Sequence, residues 1–270
     1  MKATVLVDNI GNDGMEGEWG LSIFIEYGEK KILLDTGASN LFLKNAGKMG
    51  VDIRGVDYGV ISHAHYDHSD GLADFFKNNS RAKCFFREGT EENCYCKKGI
   101  FRKYIGVPRK VLKEYDDRIQ YVEGDFQLCE GAYLIPHKTE GLDTIGKREK
   151  MFVKKEGKWY PDDFSHEQSL VLETQKGLII FNSCSHGGAY NIINEVAETF
   201  PDKNVYGLIG GFHLYNKKDE EIRTFAEQIK NTGIQYVCTG HCTGKRAYNI
   251  LKEELGDVMH QLRVNLKLEL

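Results

Sequence analysis

Apolar residues along this chain come in short runs that alternate between strand and helix spacing. Met1 to Asp8 reads as a first strand. Leu21 to Tyr27 and Lys31 to Asp35 read as two more, joined through Gly28-Glu29-Lys30 in a hairpin pattern. Asp35-Thr36-Gly37 closes that hairpin, and Ser39 is placed to cap a helix carrying Leu41, Phe42, Ala46 and Met49. Tyr58 to Ile61 is a short buried strand, and Gly71 to Phe76 begins a helix. The order then repeats. Ser169 to Thr174 and Gly177 to Phe181 form a second hairpin, turning at Gln175-Lys176-Gly177. Strands at Asn204 to Ile209 and Ile234 to Cys238 alternate with helices at Tyr190 to Phe200, Asp219 to Lys230 and Gly244 to Glu254. The tail, Val264 to Leu270, alternates apolar and polar residues as a half-buried strand does.

Residues from about 87 to 165 break this regularity. They are rich in Lys, Arg, Glu, Tyr and Gly. Short strands are expected at Ile119 to Val122 and Ala132 to Ile135. The rest reads as an insertion or lid over a site mouth, with a solvated loop excursion as the alternative. The expectation is one domain spanning 1–270.

Composition narrows the function. The chain has 270 residues, 41% hydrophobic and 28% charged, with a formal net charge of −4. That balance is ordinary for a soluble globular protein and argues against broad binding to nucleic acid or anionic membrane. A local basic patch remains around Lys147, Arg148, Lys150, Lys154 and Lys155. No apolar run approaches a membrane span, and the N-terminal apolar stretch is too short for a signal peptide. Seven scattered cysteines do not suggest a disulfide framework, so reduced thiols in the cytoplasm are the expectation. Cys84, Cys94, Cys96 and Cys129 make only a weak case for a sulfur-bound metal.

The chemistry concentrates in Ile61-Ser-His-Ala-His-Tyr-Asp-His-Ser-Asp-Gly71. Imidazole and carboxylate are ligands suited to zinc, iron or manganese. His63 and His65 are two apart and point the same way from an extended segment. Asp67 and His68 are adjacent, so they diverge and can serve a second ion. Three more histidines follow apolar strands in glycine-bearing segments: His186, His213 and His241. Only His137, His166 and His260 of the nine lie elsewhere.

The motif His63-x-His65-x-Asp67-His68 resembles the signature of the metallo-β-lactamase superfamily. Gly20 to Ile25 followed by Ile32 to Gly37 resembles its N-terminal hairpin. Gly240-His241 resembles its closing histidine. The segments Cys184-Ser-His-Gly-Gly188, Gly210-Gly-Phe-His-Leu214 and His241-Cys-Thr-Gly244 are similar to those of the subgroup called dihydropteroate-synthase-like. Apart from about 87–165, the resemblance spans most of the chain.

The resemblance implies an α/β fold, a four-layer αββα sandwich of two mixed sheets flanked by helices. It implies two divalent ions, zinc favoured, with iron and manganese as alternatives. His63, His65 and His186 would hold one; Asp67, His68 and His241 the other. His166 or Glu167 could replace His186. Cys184 stands where many relatives carry a bridging aspartate, and a thiolate there favours zinc or iron over magnesium. Asp35 would orient a ligand histidine, and Asp67 and His213 would act in catalysis. The implied reaction is hydrolysis of an ester, thioester, amide or phosphate ester in a small-molecule substrate, with a phosphorylated one in view. The alternatives are a synthase joining a dihydropterin methyl group to an aminobenzene ribofuranosyl phosphate, and a non-catalytic sensor. Flavin-diiron relatives carry an acidic residue at the position of His65, so that redox reading falls away.

Overall fold

The computed structural model describes residues 1–270. The strands are β1 (Lys2–Val7), β2 (Ser22–Tyr27), β3 (Lys30–Leu34), β4 (Tyr58–Val60), β5 (Lys83–Arg87), β6 (Cys94–Lys98), β7 (Phe101–Tyr104), β8 (Ile119–Val122) and β9 (Phe126–Cys129). They continue as β10 (Ala132–Pro136), β11 (Met151–Lys155), β12 (Lys158–Pro161), β13 (Gln168–Thr174), β14 (Gly177–Asn182), β15 (Val205–Gly210), β16 (Tyr236–Thr239), β17 (Met259–Gln261) and β18 (Lys267–Glu269). The helices are α1 (Leu41–Met49), α2 (Tyr66–Ser69), α3 (Leu72–Asn78), α4 (Val111–Glu114), α5 (Asp143–Glu149), α6 (Ala189–Thr199), α7 (Asp219–Asn231) and α8 (Lys245–Leu255).

Two seven-stranded sheets carry the fold, ordered β18-β1-β2-β3-β4-β5-β8 and β17-β16-β15-β14-β13-β10-β9. Each is mixed. The run β3-β4-β5-β8 is parallel in the first, and β14-β15-β16-β17 in the second. The period-2 alternation of a strand explains the layers. Ile23 and Ile25 of β2 meet Leu170 and Leu172 of β13 and Ile179 and Phe181 of β14 in the core between the sheets. Phe24 and Leu33 face the other way, onto Phe42 and Ala46 of α1 and Phe75 of α3. Val171, Leu178 and Ile180 turn outward onto Ile192, Val196, Ile222, Ile229 and Leu251 of α6, α7 and α8. Strands buried on both faces read as unbroken apolar runs, as they do here. The result is the four-layer α/β sandwich.

The weakly patterned region divides. β8, β9 and β10 belong to the main sheets, whereas β6, β7, β11 and β12 form a separate four-stranded sheet ordered β12-β11-β6-β7. The β6–β7 hairpin leaves the first main sheet between β5 and β8. β11 and β12 leave the second between β10 and β13. They meet through β6–β11 pairing, with Phe152 opposite Tyr95. Smaller departures from the sequence expectation are local. Ser39 Oγ accepts from Leu41 N at 3.1 Å, although Asn40 is the first-cap residue of α1. The terminal strand is limited to β18.

Candidate metal centre

The histidines sit where parallel strands end. In open α/β sheets ligands gather at the carboxyl ends of strands. β4 runs into Ser62-His63, with His65 just ahead of the single-turn α2 that carries Asp67 and His68. β14 runs into Cys184 and His186, β15 into His213, and β16 into His241. The turns that aim these side chains are tight. Asp35, Ser185, His213 and His241 all have φ between 44° and 56°. Non-glycine residues held there carry strain on the order of 1 kcal/mol each, which the surrounding packing must hold.

His63, His65 and His186 converge. Their ring centroids are 4.6 Å (His63–His65), 5.0 Å (His63–His186) and 4.8 Å (His65–His186) apart. Nε2 of His63, Nε2 of His65 and both ring nitrogens of His186 are buried without a hydrogen-bond partner. A buried polar atom without a partner is costly. Three such imidazoles around one point fit a cation. Burial, reinforced by the neighbouring imidazoles, pushes the pKa of His63 and His186 well below 6.5. Burial brings His65 to about 4. All three are neutral near pH 7, the form that ligates.

A second group abuts the first. His68 Nε2 lies 3.2 Å from His241 Nε2, and Asp67 Oδ2 lies 3.7 and 3.5 Å from those two atoms. Cys184 Sγ is 3.3 Å from His68 Nε2. The far nitrogens fix the tautomers. His68 Nδ1 is 2.8 Å from Asp35 Oδ2, so Nδ1–H donates and Nε2 keeps its lone pair. His241 Nδ1 is 3.1 Å from Asn9 Oδ1, whose Nδ2 donates to the His241 carbonyl. Ser62 Oγ donates to Asp35 Oδ2 and accepts from His63 Nδ1 at 2.8 Å. Three Nε2 lone pairs are thereby aimed inward. Two of them face one another at 3.2 Å, an arrangement that asks for a cation or a proton between. Burial opposes charge on His241, but Cys242, Asp67 and Asp8 outweigh it and raise its pKa to about 9. Burial likewise opposes the Asp67 carboxylate, and His68 and His241 hold its pKa below the usual range nonetheless.

Glu167 and His166 take other places. Glu167 Oε1 and Oε2 accept from the backbone N–H of His186 and Gly187 at 3.1 and 3.0 Å, and its carboxylate is paired with His137. It holds the His186 turn from behind. His166 accepts from Ala64 N–H at Nδ1 and meets Asp162 at Nε2, 3.2 Å away. With Cys94 it packs beside His65. The His213 ring lies 4.6 Å from that of His186, tilted by 49°, and its Nδ1 is buried without a partner. The cysteines weighed as a sulfur site are dispersed. Cys84 lies in the helix-facing core of the first sheet, and Cys129 lies at the edge of the inter-sheet core.

Above the centre is a pocket of about 280 Å³. His65, Asp67, Cys184, His186, His213 and Cys242 line its floor. Lys98, Lys103 and Met151, from the four-stranded sheet, line its roof, with Trp19 and Tyr215 at the side. Tyr66 N donates to Ile105 O at 2.9 Å, which ties the roof to the histidine loop. Sequence reasoning missed Asn9, Ser62, Cys242 and both roof lysines. Asn9 lies 232 positions from His241, so only the folded chain relates them.

A family model described as the metallo-β-lactamase superfamily matches residues 20–176. The chain belongs to this superfamily. Other proteins align along almost its whole length. The 7,8-dihydropterin-6-methyl-4-(β-D-ribofuranosyl)-aminobenzene-5′-phosphate synthase of Methanocaldococcus jannaschii is 29% identical over 268 residues, covering 93% of this chain and 90% of the relative. The crystal structure of Tm1679, described as a metal-dependent hydrolase of the β-lactamase superfamily, is 31% identical. It superimposes with a TM-score of 0.85, covering 100% of this chain and 99% of that one. Zinc-bound PqqB from Methylobacterium extorquens, 10% identical with a TM-score of 0.60 over 100% of both chains, shares the fold. The superfamily is metal-dependent, and this chain has clusters of His, Cys and Asp that could hold metal. No helix is long and apolar enough to cross a membrane.

Proposed function

We propose that this protein is a metal-dependent hydrolase of small phosphorylated substrates, using two divalent ions of which zinc is favoured. The observation that carries the proposal is the convergence of partnerless imidazole nitrogens of His63, His65 and His186 beside the facing Nε2 atoms of His68 and His241. His63, His65 and His186 would hold one ion; Asp67, His68 and His241 the other, with Cys184 at their junction. When bound, the ions would supply a water of lowered pKa and positive charge against that developing on a phosphoryl or acyl oxygen.

The chain's own groups divide the remaining work. Lys98 and Lys103 overhang the pocket and supply positive charge for an anionic group. Trp19 and Tyr215, in edge contact at 5.6 Å, offer apolar surface to an aromatic portion of the substrate. The four-stranded sheet acts as a lid that limits water. Asp67, ionised across the ordinary pH range, orients the attacking water. His213 Nδ1, buried and without a partner at the pocket wall, is placed to give a proton to a leaving oxygen. All seven cysteines are free, in keeping with a reducing cytoplasmic setting.

The test replaces His63 and Asp67 together by Ala. Metal content is measured by mass spectrometry, and turnover on a panel of phosphate esters, thioesters and lactones. Survival of both would sink the proposal.

A second reading is favoured by the near-full-length relationship to the aminobenzene-phosphate synthase. The same centre would then join a dihydropterin methyl group to an aminobenzene ribofuranosyl phosphate. Product analysis separates the two. With a dihydropterin methyl pyrophosphate and the aryl phosphate supplied together, a synthase gives the joined product, whereas a hydrolase gives only the cleaved pterin.

A further inference from the structure

We propose that Cys242 joins Cys184 as a thiolate pair on the second ion, making that position sulfur-rich and closed. The inference rests on the two-ion reading above and deepens it.

Cys242 Sγ lies 3.5 Å from Cys184 Sγ, although 58 residues separate them in sequence. Both side chains are buried, and Cys184, His241 and Cys242 each present a ligand atom within 4.8 Å of the others. Two thiolates on one tetrahedral zinc, each at ~2.3 Å, stand about 3.8 Å apart. The observed separation is close to that, and 3.3 Å from Cys184 Sγ to His68 Nε2 fits a shared ion as well.

The backbone has been shaped around this sulfur. The N–H of His213 points at Cys242 Sγ from 3.3 Å, as it would to a thiolate. Any side chain at Gly211 would bring its Cβ to 2.6 Å from the same atom. That glycine leaves the room the sulfur occupies.

With both thiolates, the second position is filled by protein, its four places drawn from Cys184, Cys242, His68, His241 and Asp67. The first keeps three imidazoles and an open side. Filled sites are characteristic of structural or tuning ions, and three-ligand sites of catalytic ones. The substrate chemistry therefore belongs at His63, His65 and His186. Thiolate ligation also selects zinc or iron over magnesium and manganese. Each cysteine gives up its thiol proton to solvent when it binds.

The experiment is X-ray absorption on the zinc-loaded full chain, with zinc counted in the same sample. Both thiolates on the second of two ions give about one sulfur neighbour per zinc at ~2.3 Å in the wild type, falling to about half in Cys242→Ser; a value that stays near one in Cys242→Ser would mean a bridging Cys184 alone and overturns the assignment. A wild-type value near half, or none, overturns the Cys242 assignment while leaving two ions in place. One bound zinc with about two sulfurs would uphold the thiolate pair and sink the two-ion reading instead. A cadmium titration adds a second measurement. Cys242→Ser and Cys184→Ser should each lose about half of the thiolate-to-cadmium ultraviolet absorption. An undiminished signal in Cys242→Ser overturns the proposal. The absorption measurement on wild-type protein stands even if a variant fails to fold.

Discussion

His68 Nδ1 and Asp35 Oδ2 lie 2.8 Å apart, both fully buried. The same carboxylate accepts from Ser62 N at Oδ1 and from Ser62 Oγ at Oδ2, both at 2.7 Å. Asp35 thus sets the orientation of one candidate ligand directly and of His63 through Ser62. In Asp35→Asn, whichever side-chain atom becomes NH₂ meets a donor it cannot accept from. Metal affinity should fall about 10- to 100-fold. Competition against a fluorescent chelator measures it; unchanged affinity would mean Asp35 is only a packing residue.

Chelation should destabilise the whole molecule, because it leaves buried ring nitrogens of His63, His65 and His186 without partners and the Nε2 atoms of His68 and His241 facing each other. Ligand present at about 1,000 times its dissociation constant stabilises by about 4 kcal/mol. For a chain of this size that is a loss on the order of 10 °C in melting temperature. Calorimetry with and without chelator reads it directly. A melting temperature that does not move would argue that the cluster holds no ion.

The support behind His186 makes stability depend on pH. Burial opposes charge on His137, but Glu167 and Glu195 overcome it and raise its pKa to about 9. Glu195, also disfavoured by burial, is held down at about 2 by His137, Thr139 and Lys138. A raised imidazole stabilises fully below its unfolded value near 6.5, and the benefit is lost as pH climbs through 9. The depressed carboxylate stabilises above its unfolded value near 4.5, and the benefit is lost as pH falls toward 2. The contribution should peak between about pH 4.5 and 6.5. His137→Ala should cost about 3–5 kcal/mol at pH 6 by leaving Glu167 buried and unpaired. Urea unfolding of both proteins at pH 6 and pH 9.5 tests this. A mutant-to-wild-type gap that does not shrink at the higher pH would contradict it.

The roof lysines should act on binding more than on turnover. Lys98 and Lys103 are exposed, so each contributes up to ~1 kcal/mol and less in high salt. The double Ala variant should raise KM for an anionic substrate about 3- to 30-fold with kcat nearly unchanged. An unchanged KM, or an equal effect on a neutral analogue, would remove them from substrate recognition.

The His63–His68 motif and the two hairpins were legible because each is local. Alternating or unbroken apolar residues mark the strands, and the ligands sit two to five positions apart. β5 escaped because Lys83 and Arg87 bracket a three-residue apolar centre; Arg87 is nevertheless buried, with its two terminal nitrogens donating to the carbonyls of Val122, Gly124 and Leu134. The four-stranded sheet escaped for a different reason. It is held less by a buried apolar face than by ring contacts such as Tyr95–Trp159 at 4.9 Å and by Arg102 over Trp159 at 4.4 Å. Such pairs leave no periodic signature. Asn9, Glu167 and Cys242 owe their places to contacts made across the fold. No window of the sequence contains both partners.

The roof over the pocket is spliced from two excursions, one from each main sheet, fused where β6 pairs with β11. It is anchored on both halves of the sandwich and cannot swing on a single hinge. The same wiring bears on how such a pocket diversifies. A change of length or register in either excursion breaks the seam with the other, so new specificities should arise by paired replacement of both segments, while the histidine scaffold beneath is inherited untouched.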